Sequence, residues 1–318
     1  MSSLFDAEAV AARILKSAMG LKQGESLLIV TDRQLCTLAG AFFSAGQKLT
    51  KKARLVTIDI PQSHGEEPHP DIARMMAKHD VCMLITTKSL THTKARMKAS
   101  KAGARIASMP GLRESMFSTA LAASPKQIGA LNGRLIRILG GKKDIRITTG
   151  KGTDVTFSIR GRKWVSNHGT LTKKGAVGNL PAGEVFIAPL EGRTEGRLVV
   201  DESIATAGKV KKPIIISIKR GRIVSVAGGK EALVFGVALV TDRHRMVAEL
   251  GIGTNRKARI TGAILEDEKM FGTFHVAFGN NRQFGGTIDV PFHVDAVAAR
   301  PTIMADGKAI MREGKLLQ

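Results

Sequence analysis

Short apolar runs alternate with helix-forming stretches along residues 4–108, and this alternation limits the fold more than any other feature of the sequence. Four runs have the length and aliphatic content of buried strands: residues 26–30, 53–60, 81–87 and 104–108. Apolar residues at helical spacing precede or separate these runs: residues 4–19, 34–49, 71–79 and 92–101. Because strands that alternate with helices usually pair in parallel, we predict an α/β domain with a parallel, doubly wound sheet.

In the second half of the chain the spacing of the apolar residues changes, and the new pattern predicts a different kind of domain. Its strand-like segments are short and β-branched, and segments 214–218 and 222–226 flank a Lys-Arg-Gly turn that is typical of a hairpin. One helix is predicted between them and the C-terminus, at residues 230–249. These patterns predict an α+β domain with a largely antiparallel sheet.

A chain of 318 residues exceeds the size at which one hydrophobic core usually keeps growing, so we predict two domains. The glycine- and lysine-rich segment 139–144 lies between the two patterns of apolar spacing. We therefore predict domains at residues 1–141 and 142–318. The first strand runs into Thr31, Asp32 and Arg33 without a glycine-rich phosphate loop. The N-terminal domain is accordingly interpreted as a scaffold or lid rather than a nucleotide-binding domain.

The charge is strongly basic, with 49 Lys and Arg against 27 Asp and Glu. Residues 88–174 alone carry 19 basic and 3 acidic side chains, and such a surface attracts polyanions. Platforms for nucleic acid usually add aromatic side chains for base stacking, but this chain has no tyrosine. We therefore expect a solvated basic surface and no specific nucleic-acid partner.

Cysteine content and hydropathy bear on location. Cys36 and Cys82 are the only cysteines, which excludes a disulfide framework and favours a reducing cytoplasm. The longest apolar stretch, residues 232–240, is far shorter than the ~20 residues of a membrane span. We predict a cytoplasmic protein with no membrane partner.

Several residues in the second half combine the side chains that bind metals. His293 and Asp295 lie two residues apart in an apolar run, so on a strand their side chains share one face. An imidazole beside a carboxylate suits a divalent cation, although an ordinary His–Asp hydrogen bond would give the same pattern. His275, Glu184 and Glu249 also stand among apolar neighbours. Two histidines and three carboxylates are the mixture expected of a two-metal hydrolytic site.

Four segments resemble the thermophilic-type leucyl aminopeptidases, a metallopeptidase family. They occur in order: 179–189 (NLPAGEVFIAP), 248–255 (AELGIGTN), 267–279 (DEKMFGTFHVAFG) and 293–295 (HVD). The resemblance implies an α/β N-terminal domain, a metal-bearing C-terminal domain and a homodimer. It implies an aminopeptidase-like hydrolase in which two divalent ions (Zn, Co or Mn) activate a water to cleave short peptides. The implied ligands are Glu184, Glu249, His275, His293 and Asp295.

One position departs from that family. Its peptidases carry a catalytic tyrosine where this chain has Arg282, which we interpret either as an oxyanion-stabilising cation or as a surface residue. His168, in a turn between strands, is the next candidate for a catalytic donor.

The chain also resembles the mononuclear iron dioxygenases that cleave dihydroxypyridine rings. That resemblance implies one Fe(II) held by two histidines and one carboxylate, which His275, His293 and Asp295 would supply. The retention of both Glu184 and Glu249 favours two metals and the hydrolase. A catalytically degenerate metal-binding homologue is the third alternative, because the tyrosine is missing.

Overall fold

The computed structural model describes residues 4–317 and contains helices and strands in both halves of the chain. The α-helices are α1 Leu4–Arg13, α2 Cys36–Gln47, α3 Pro70–Lys78, α4 Lys94–Lys101, α5 Pro125–Leu139, α6 Lys230–Ala238 and α7 Ile264–Asp267. The first nine strands are β1 Leu27–Asp32, β2 Ala53–Ile58, β3 Val81–Ile85, β4 Arg105–Ser108, β5 Asp144–Thr148, β6 Asp154–Ser158, β7 Val165–Asn167, β8 Val177–Asn179 and β9 Glu184–Ile187. The others are β10 Thr194–Val200, β11 Ser203–Ile204, β12 Gly208–Lys209, β13 Ile214–Lys219, β14 Arg222–Ala227, β15 Val247–Gly253, β16 Thr273–Gly279, β17 His293–Ala299, β18 Thr302–Ala305, β19 Lys308–Arg312 and β20 Lys315–Leu316.

The first compact unit contains a parallel sheet, as predicted. Its five strands have the order β2-β1-β3-β4-β8, and each neighbouring pair is parallel. The order reverses at β1, so right-handed crossovers place helices on both faces of the sheet. The central strands β1 and β3 are buried along their whole length, whereas the edge strand β2 is only partly buried. This burial explains why the central strands appear in the sequence as uninterrupted apolar runs.

The second unit contains two antiparallel sheets, which confirms the predicted α+β class. Sheet B has the order β14-β13-β10-β6-β5-β18-β19-β20, and sheet C has the order β12-β11-β17-β16-β15-β9-β7. Alternate residues of both sheets form one apolar core, which includes Phe157 and Ile216 from sheet B and Val185, Val276 and Val294 from sheet C. Since side chains alternate along a strand, the other face of sheet C is left for residues outside this core.

The compact units do not divide at residue 141. One unit comprises residues 1–125 and 169–182, and the other comprises residues 126–168 and 183–318. Helix α5 belongs to the second unit because its Leu135 and Leu139 pack into that unit's core. Segment 169–182 returns to the first unit because β8 pairs with β4. The sequence signal near residue 141 therefore marks the end of a helix and not the division between units.

The predicted helix at 230–249 is wrong in its second half. Helix α6 ends at Ala238, and after a short 3-10 turn the chain enters β15 at Val247. β15 is buried throughout because it pairs with β9 on one side and β16 on the other. The apolar residues of this segment therefore belong to a buried strand and not to a helix. Glu249 consequently lies within a sheet and not at a helix end. Within residues 4–317, none of the helices combines the length and apolar character that a bilayer crossing requires.

A matched pair of substitutions in sheet B tests where the core lies. Ile216 on β13 is fully buried, whereas Val224 on the neighbouring β14 is 52% exposed. We expect Ile216→Ala to lower the free energy of unfolding by about 2–5 kcal/mol through lost burial and a cavity. Val224→Ala should change it by no more than about 0.5 kcal/mol. Urea unfolding of the full chain measures both values, and equal effects would contradict this placement of the core.

Candidate metal centre

Four adjacent strands of sheet C present polar side chains on the face opposite the core. Glu184 lies on β9, Glu249 on β15 and His275 on β16, while His293 and Asp295 both lie on β17. The neighbouring residues along these strands, such as Val185, Val276 and Val294, belong to the core. The alternation of the strands thus places the five predicted ligands on one face of the sheet.

Distances show that the five side chains form one cluster. His275 Nε2 lies 3.2 Å from Glu249 Oε1 and 3.5 Å from Glu184 Oε2. His293 Nε2 lies 3.5 Å from Asp295 Oδ1 and 3.7 Å from Glu249 Oε2. Glu249 joins the two imidazoles, because one of its oxygens faces each ring. The geometry satisfies the requirement that candidate ligands converge; their binding of a metal stays a prediction.

A glycine makes room for one of the imidazoles. Gly251 on β15 lies directly opposite His275 on β16, and a Cβ at Gly251 would come within 2.0 Å of His275 Nε2. The ring therefore occupies the space that any other residue at position 251 would fill. The imidazole thus explains one glycine of the glycine-rich segment after Glu249. The sequence of that segment by itself does not reveal that a neighbouring side chain needs the space.

Hydrogen bonds from outside the five residues orient them. His293 Nδ1 lies 2.8 Å from the carbonyl oxygen of Asn280, to which it can donate, so its Nε2 is directed to the carboxylates. Asn167 on β7 donates to Glu184 Oε1 at 3.2 Å. The buried Asn132 of α5 donates to the backbone carbonyl of Glu184 at 2.8 Å. These contacts hold ligand atoms in place, as partners of metal ligands generally do.

Sequence reasoning missed a lysine in this cluster. The Lys269 side chain is only 1% exposed, and its ammonium donates to Glu184 Oε1 at 2.5 Å and to Glu268. Glu268 in turn belongs with His275 and Asp295 to a group of potential ligands whose atoms lie within 4.8 Å of one another. A lysine is rarely buried unless its charge is paired. The Asp-Glu-Lys segment before β16 contains no periodicity that would reveal this arrangement.

The carboxyl groups and imidazoles of the cluster shift one another's pKa. Burial by itself favours the neutral ring of His275, but its hydrogen bond to Glu249 and the charge of Glu184 outweigh burial and raise its pKa to about 9. The charge of Asp295 likewise outweighs burial and raises the pKa of His293 to about 10. Burial also raises the pKa of two carboxyl groups, that of Glu249 and that of Glu268, the latter to about 8. Imidazoles and carboxyl groups of the cluster therefore take up protons in the absence of another cation, and the Lys269 ammonium pairs with Glu184 and Glu268.

The donor set fits a divalent metal. Carboxylate oxygens and imidazole nitrogens lie within 4.8 Å of one another in two overlapping groups, one of which contains Glu184, Glu249 and His275. A bound cation would replace the protons that the imidazoles and carboxyl groups otherwise hold. Imidazole and carboxylate ligands suit Zn, Mn, Co and Fe alike, so the donor types are compatible with a metal site and do not distinguish among these metals.

The two proposed catalytic donors lie in different surroundings. The Arg282 side chain is 68% exposed, and its guanidinium donates to Asp289 at 2.6 Å. An exposed ion pair is not the dry setting that an oxyanion-stabilising cation needs, so the structure does not support that role. His168 is half-buried directly after β7, with its Nδ1 3.3 Å from the hydroxyl of Ser166, and its catalytic role stays a prediction.

Comparison with known proteins identifies the family. The profile of the 2,5-dihydroxypyridine 5,6-dioxygenase (NicX) family matches residues 10–318, so the chain belongs to this family. Among solved structures, 2,5-dihydroxypyridine dioxygenase from Pseudomonas putida KT2440 has 19% identity and a TM-score of 0.82 over 100% of this chain and 98% of its own. Wild-type AmpT from Thermus thermophilus has 16% identity and a TM-score of 0.72 over 99% of each chain. Among curated proteins, no sequence is similar enough to count as a match.

These comparisons correct the predicted activity. The chain belongs to an enzyme family, as predicted, but it is a family of dioxygenases and not of hydrolases. The expectation of a metal-dependent aminopeptidase, with its peptidase and protease chemistry, is therefore wrong, and the resemblance to dihydroxypyridine dioxygenases is the better supported one. At 16% identity, the likeness to AmpT shows a shared fold only. The motifs misled because a fold does not by itself determine an activity.

Substitution of the glycine beside His275 tests the geometry of the cluster. We expect Gly251→Ala to displace the buried imidazole, because the new methyl group would occupy the position of its Nε2. Metal retained after dialysis should fall at least about tenfold, the loss typical of disturbed ligand orientation. Gly236→Ala on α6 is the control, since a Cβ there would meet no atom within 4 Å apart from its chain neighbours and the backbone of its own helix. Circular dichroism establishes that both variants fold, and normal metal retention in Gly251→Ala would contradict this arrangement.

Proposed function

We propose that this protein is a mononuclear iron dioxygenase that cleaves a hydroxylated pyridine or a closely related aromatic ring. The observation that carries the proposal is the match of residues 10–318 to the 2,5-dihydroxypyridine 5,6-dioxygenase family. The buried cluster on sheet C supports it, because both imidazoles lie near the Asp295 carboxylate. His293 Nε2 is 3.5 Å from Asp295 Oδ1, and His275 shares with Asp295 a group of potential ligands within 4.8 Å of one another. Two imidazoles and a carboxylate suit non-haem Fe(II).

His275, His293 and Asp295 are the proposed ligands. Asp295 and His293 share a face of β17, and His275 lies on the neighbouring strand β16. The charge of His293 and its hydrogen bond outweigh burial and lower the pKa of Asp295, so this carboxylate stays ionised and able to bind a cation. Glu249 would orient both rings through its two oxygens.

Lys269 supports one metal rather than two. Two metals would need Glu184 as a ligand, but the Lys269 ammonium already lies 2.5 Å from Glu184 Oε1. A second divalent cation beside that ammonium would meet strong repulsion, because few water molecules can screen charges in a buried cluster. The lysine thus takes the place of a second cation in balancing Glu184 and Glu268.

The residues of this chain would hold the reactants and control the surroundings of the reaction. A ferrous ion held there would supply the one-electron chemistry that allows dioxygen to react with an aromatic ring. The carbonyl of Asn280 fixes the tautomer of His293, and Asn167 fixes the carboxylate of Glu184. His275, which is fully buried, keeps its ring out of water, so the inner side of the site is shielded from solvent.

Three other predictions remain open. The homodimer, the cytoplasmic location and the lack of specific nucleic-acid or membrane partners stay as proposals. A peptide substrate is not proposed, since the hydrolase that required it has been replaced.

An oxygen-consumption assay tests the proposed activity. Protein loaded anaerobically with Fe(II) should consume oxygen and 2,5-dihydroxypyridine in a 1:1 ratio, with loss of the aromatic absorbance. Protein loaded with Zn(II) is the control and should be inactive, because zinc has no redox chemistry. The proposal fails if Fe(II)-loaded protein leaves dihydroxylated pyridines and benzenes unchanged. A protein that binds Fe(II) but consumes no oxygen would instead favour the degenerate homologue.

Metal counting tests the role of Lys269. Wild type should bind one Mn(II) per chain, and Lys269→Met should gain a second site because Glu184 and Glu268 lose their ammonium partner. The variant should also lose about 3–5 kcal/mol of stability without metal, the cost of breaking a buried ion pair.

The control is the double variant Lys269→Met/Glu184→Gln, which removes one negative charge together with the positive one. It should recover part of the lost stability and bind one Mn(II) per chain. Two tightly bound ions in the wild type would overturn the one-metal proposal. A Lys269→Met variant that folds and still binds only one would overturn the claim that Lys269 excludes a second ion.

A further inference from the structure

Two phenylalanines lie beside the cluster and contact each other. The ring centroids of Phe186 and Phe284 are 5.4 Å apart with an interplanar angle of 81°. Phe284 also contacts His293 edge-to-face, with centroids 6.1 Å apart and an angle of 89°. An aromatic group therefore extends from the candidate ligand His293 through Phe284 to Phe186.

Strand alternation explains why Phe186 lies on the site face. It follows Glu184 by two residues on β9, so both side chains point away from the core that contains Val185 and Ile187. Phe186 is paired with Gly251, which is in turn paired with His275 on the next strand. Because Gly251 has no side chain, the imidazole of His275 fills the space above it on the site face of the sheet.

Both phenylalanines are only half-buried, unlike the core phenylalanines of this unit. Phe157, Phe274 and Phe278 are fully buried, whereas Phe186 and Phe284 retain exposed surface. The exposed aromatic surface beside the charged cluster does not contribute to packing of the core. The exposed surface of the two phenylalanines could contact the flat ring of a ligand, while the polar side chains of the cluster would bind the hydroxyl groups of that ligand.

We propose that Phe186 and Phe284 form an aromatic wall that binds the ring of the substrate and determines specificity for flat aromatic molecules. The inference rests on the proposed ring-cleaving function and adds the residues that select its substrate. Aromatic rings prefer edge-to-face or offset contacts, which a saturated ring of the same size cannot make. The wall carries no charge, so it selects for ring shape, while orientation is left to the metal ligands.

Binding measurements test the wall separately from catalysis. Calorimetry without oxygen, on protein loaded with Mn(II), gives the Kd of 2,5-dihydroxypyridine for wild type, Phe186→Ala, Phe284→Ala and Phe284→Leu. Each alanine variant should raise the Kd about tenfold, the loss of one aromatic contact together with its apolar burial. Phe284→Leu keeps the apolar volume and should still bind several-fold more weakly. Metal content should equal that of wild type in every variant.

Controls separate ring recognition from general packing. Phe271→Ala removes another half-buried ring of this unit, which contacts Arg256, and should leave the Kd unchanged. The flat 2-pyridone should bind wild type more tightly than its saturated counterpart 2-piperidone, and Phe284→Leu should reduce that preference.

The outcomes distinguish this inference from the function on which it rests. If wild type binds and cleaves the ring while the alanine variants bind it as Phe271→Ala does, the wall is refuted and the dioxygenase stands. If the ring binds in a phenylalanine-dependent way but no oxygen is consumed with Fe(II), the wall stands and the activity is refuted. A wild type that binds no aromatic probe overturns both.

Discussion

Sheet C has to satisfy two environments with one set of strands, and the candidate site depends on this constraint. One face of β9, β15, β16 and β17 contributes aliphatic and aromatic side chains to the core of the second unit. Because successive side chains point to opposite faces, each ligand position on the other face is fixed by the core residue beside it. A shift of any of these strands by one residue would bury carboxylates in the core and expose valines at the site. Core packing therefore also fixes the positions of the candidate metal ligands.

Charge is the second constraint, and it acts within a small volume. Carboxylates and imidazoles that lie 3.2–3.7 Å apart cannot all be ionised or all be neutral without cost. Lys269, a cation that is part of the chain, balances Glu184 and Glu268, and a bound metal ion would balance the other carboxylates. On this interpretation, the metal count depends on where the chain places its own ammonium as much as on the number of carboxylates.

The predicted hydrolase shows how far ligand motifs can identify a reaction. The motifs around Glu184, Glu249, His275 and His293 describe a scaffold that the AmpT structure also has, with a TM-score of 0.72. Ligand types common to hydrolytic and oxygen-dependent metals do not separate the two chemistries. The absence of tyrosine from this chain was the sequence signal against the peptidase. Arg282, the residue at that position, pairs with Asp289 on the surface and offers no replacement.

Local pattern was sufficient for much of the fold, and together with the family resemblance it named five side chains that the structure brings together. Their binding of a metal stays a prediction. The apolar runs of β1, β3 and β4 and the helices between them predicted the parallel sheet, because buried strands need continuous apolar sequence. The two-residue spacing of His293 and Asp295 predicted their common face, since period two is a property of any strand. The helix predicted at 230–249 failed because apolar residues alone do not distinguish a buried strand from a helix when both sheet partners are distant in sequence. Tertiary structure alone decided the rest. It returned segment 169–182 to the first unit, filled the space above Gly251 with His275, and buried Lys269 between two glutamates. These features depend on contacts between residues that are far apart in the chain, such as Glu184 and Lys269, 85 positions apart, and such contacts leave no periodic trace in the sequence.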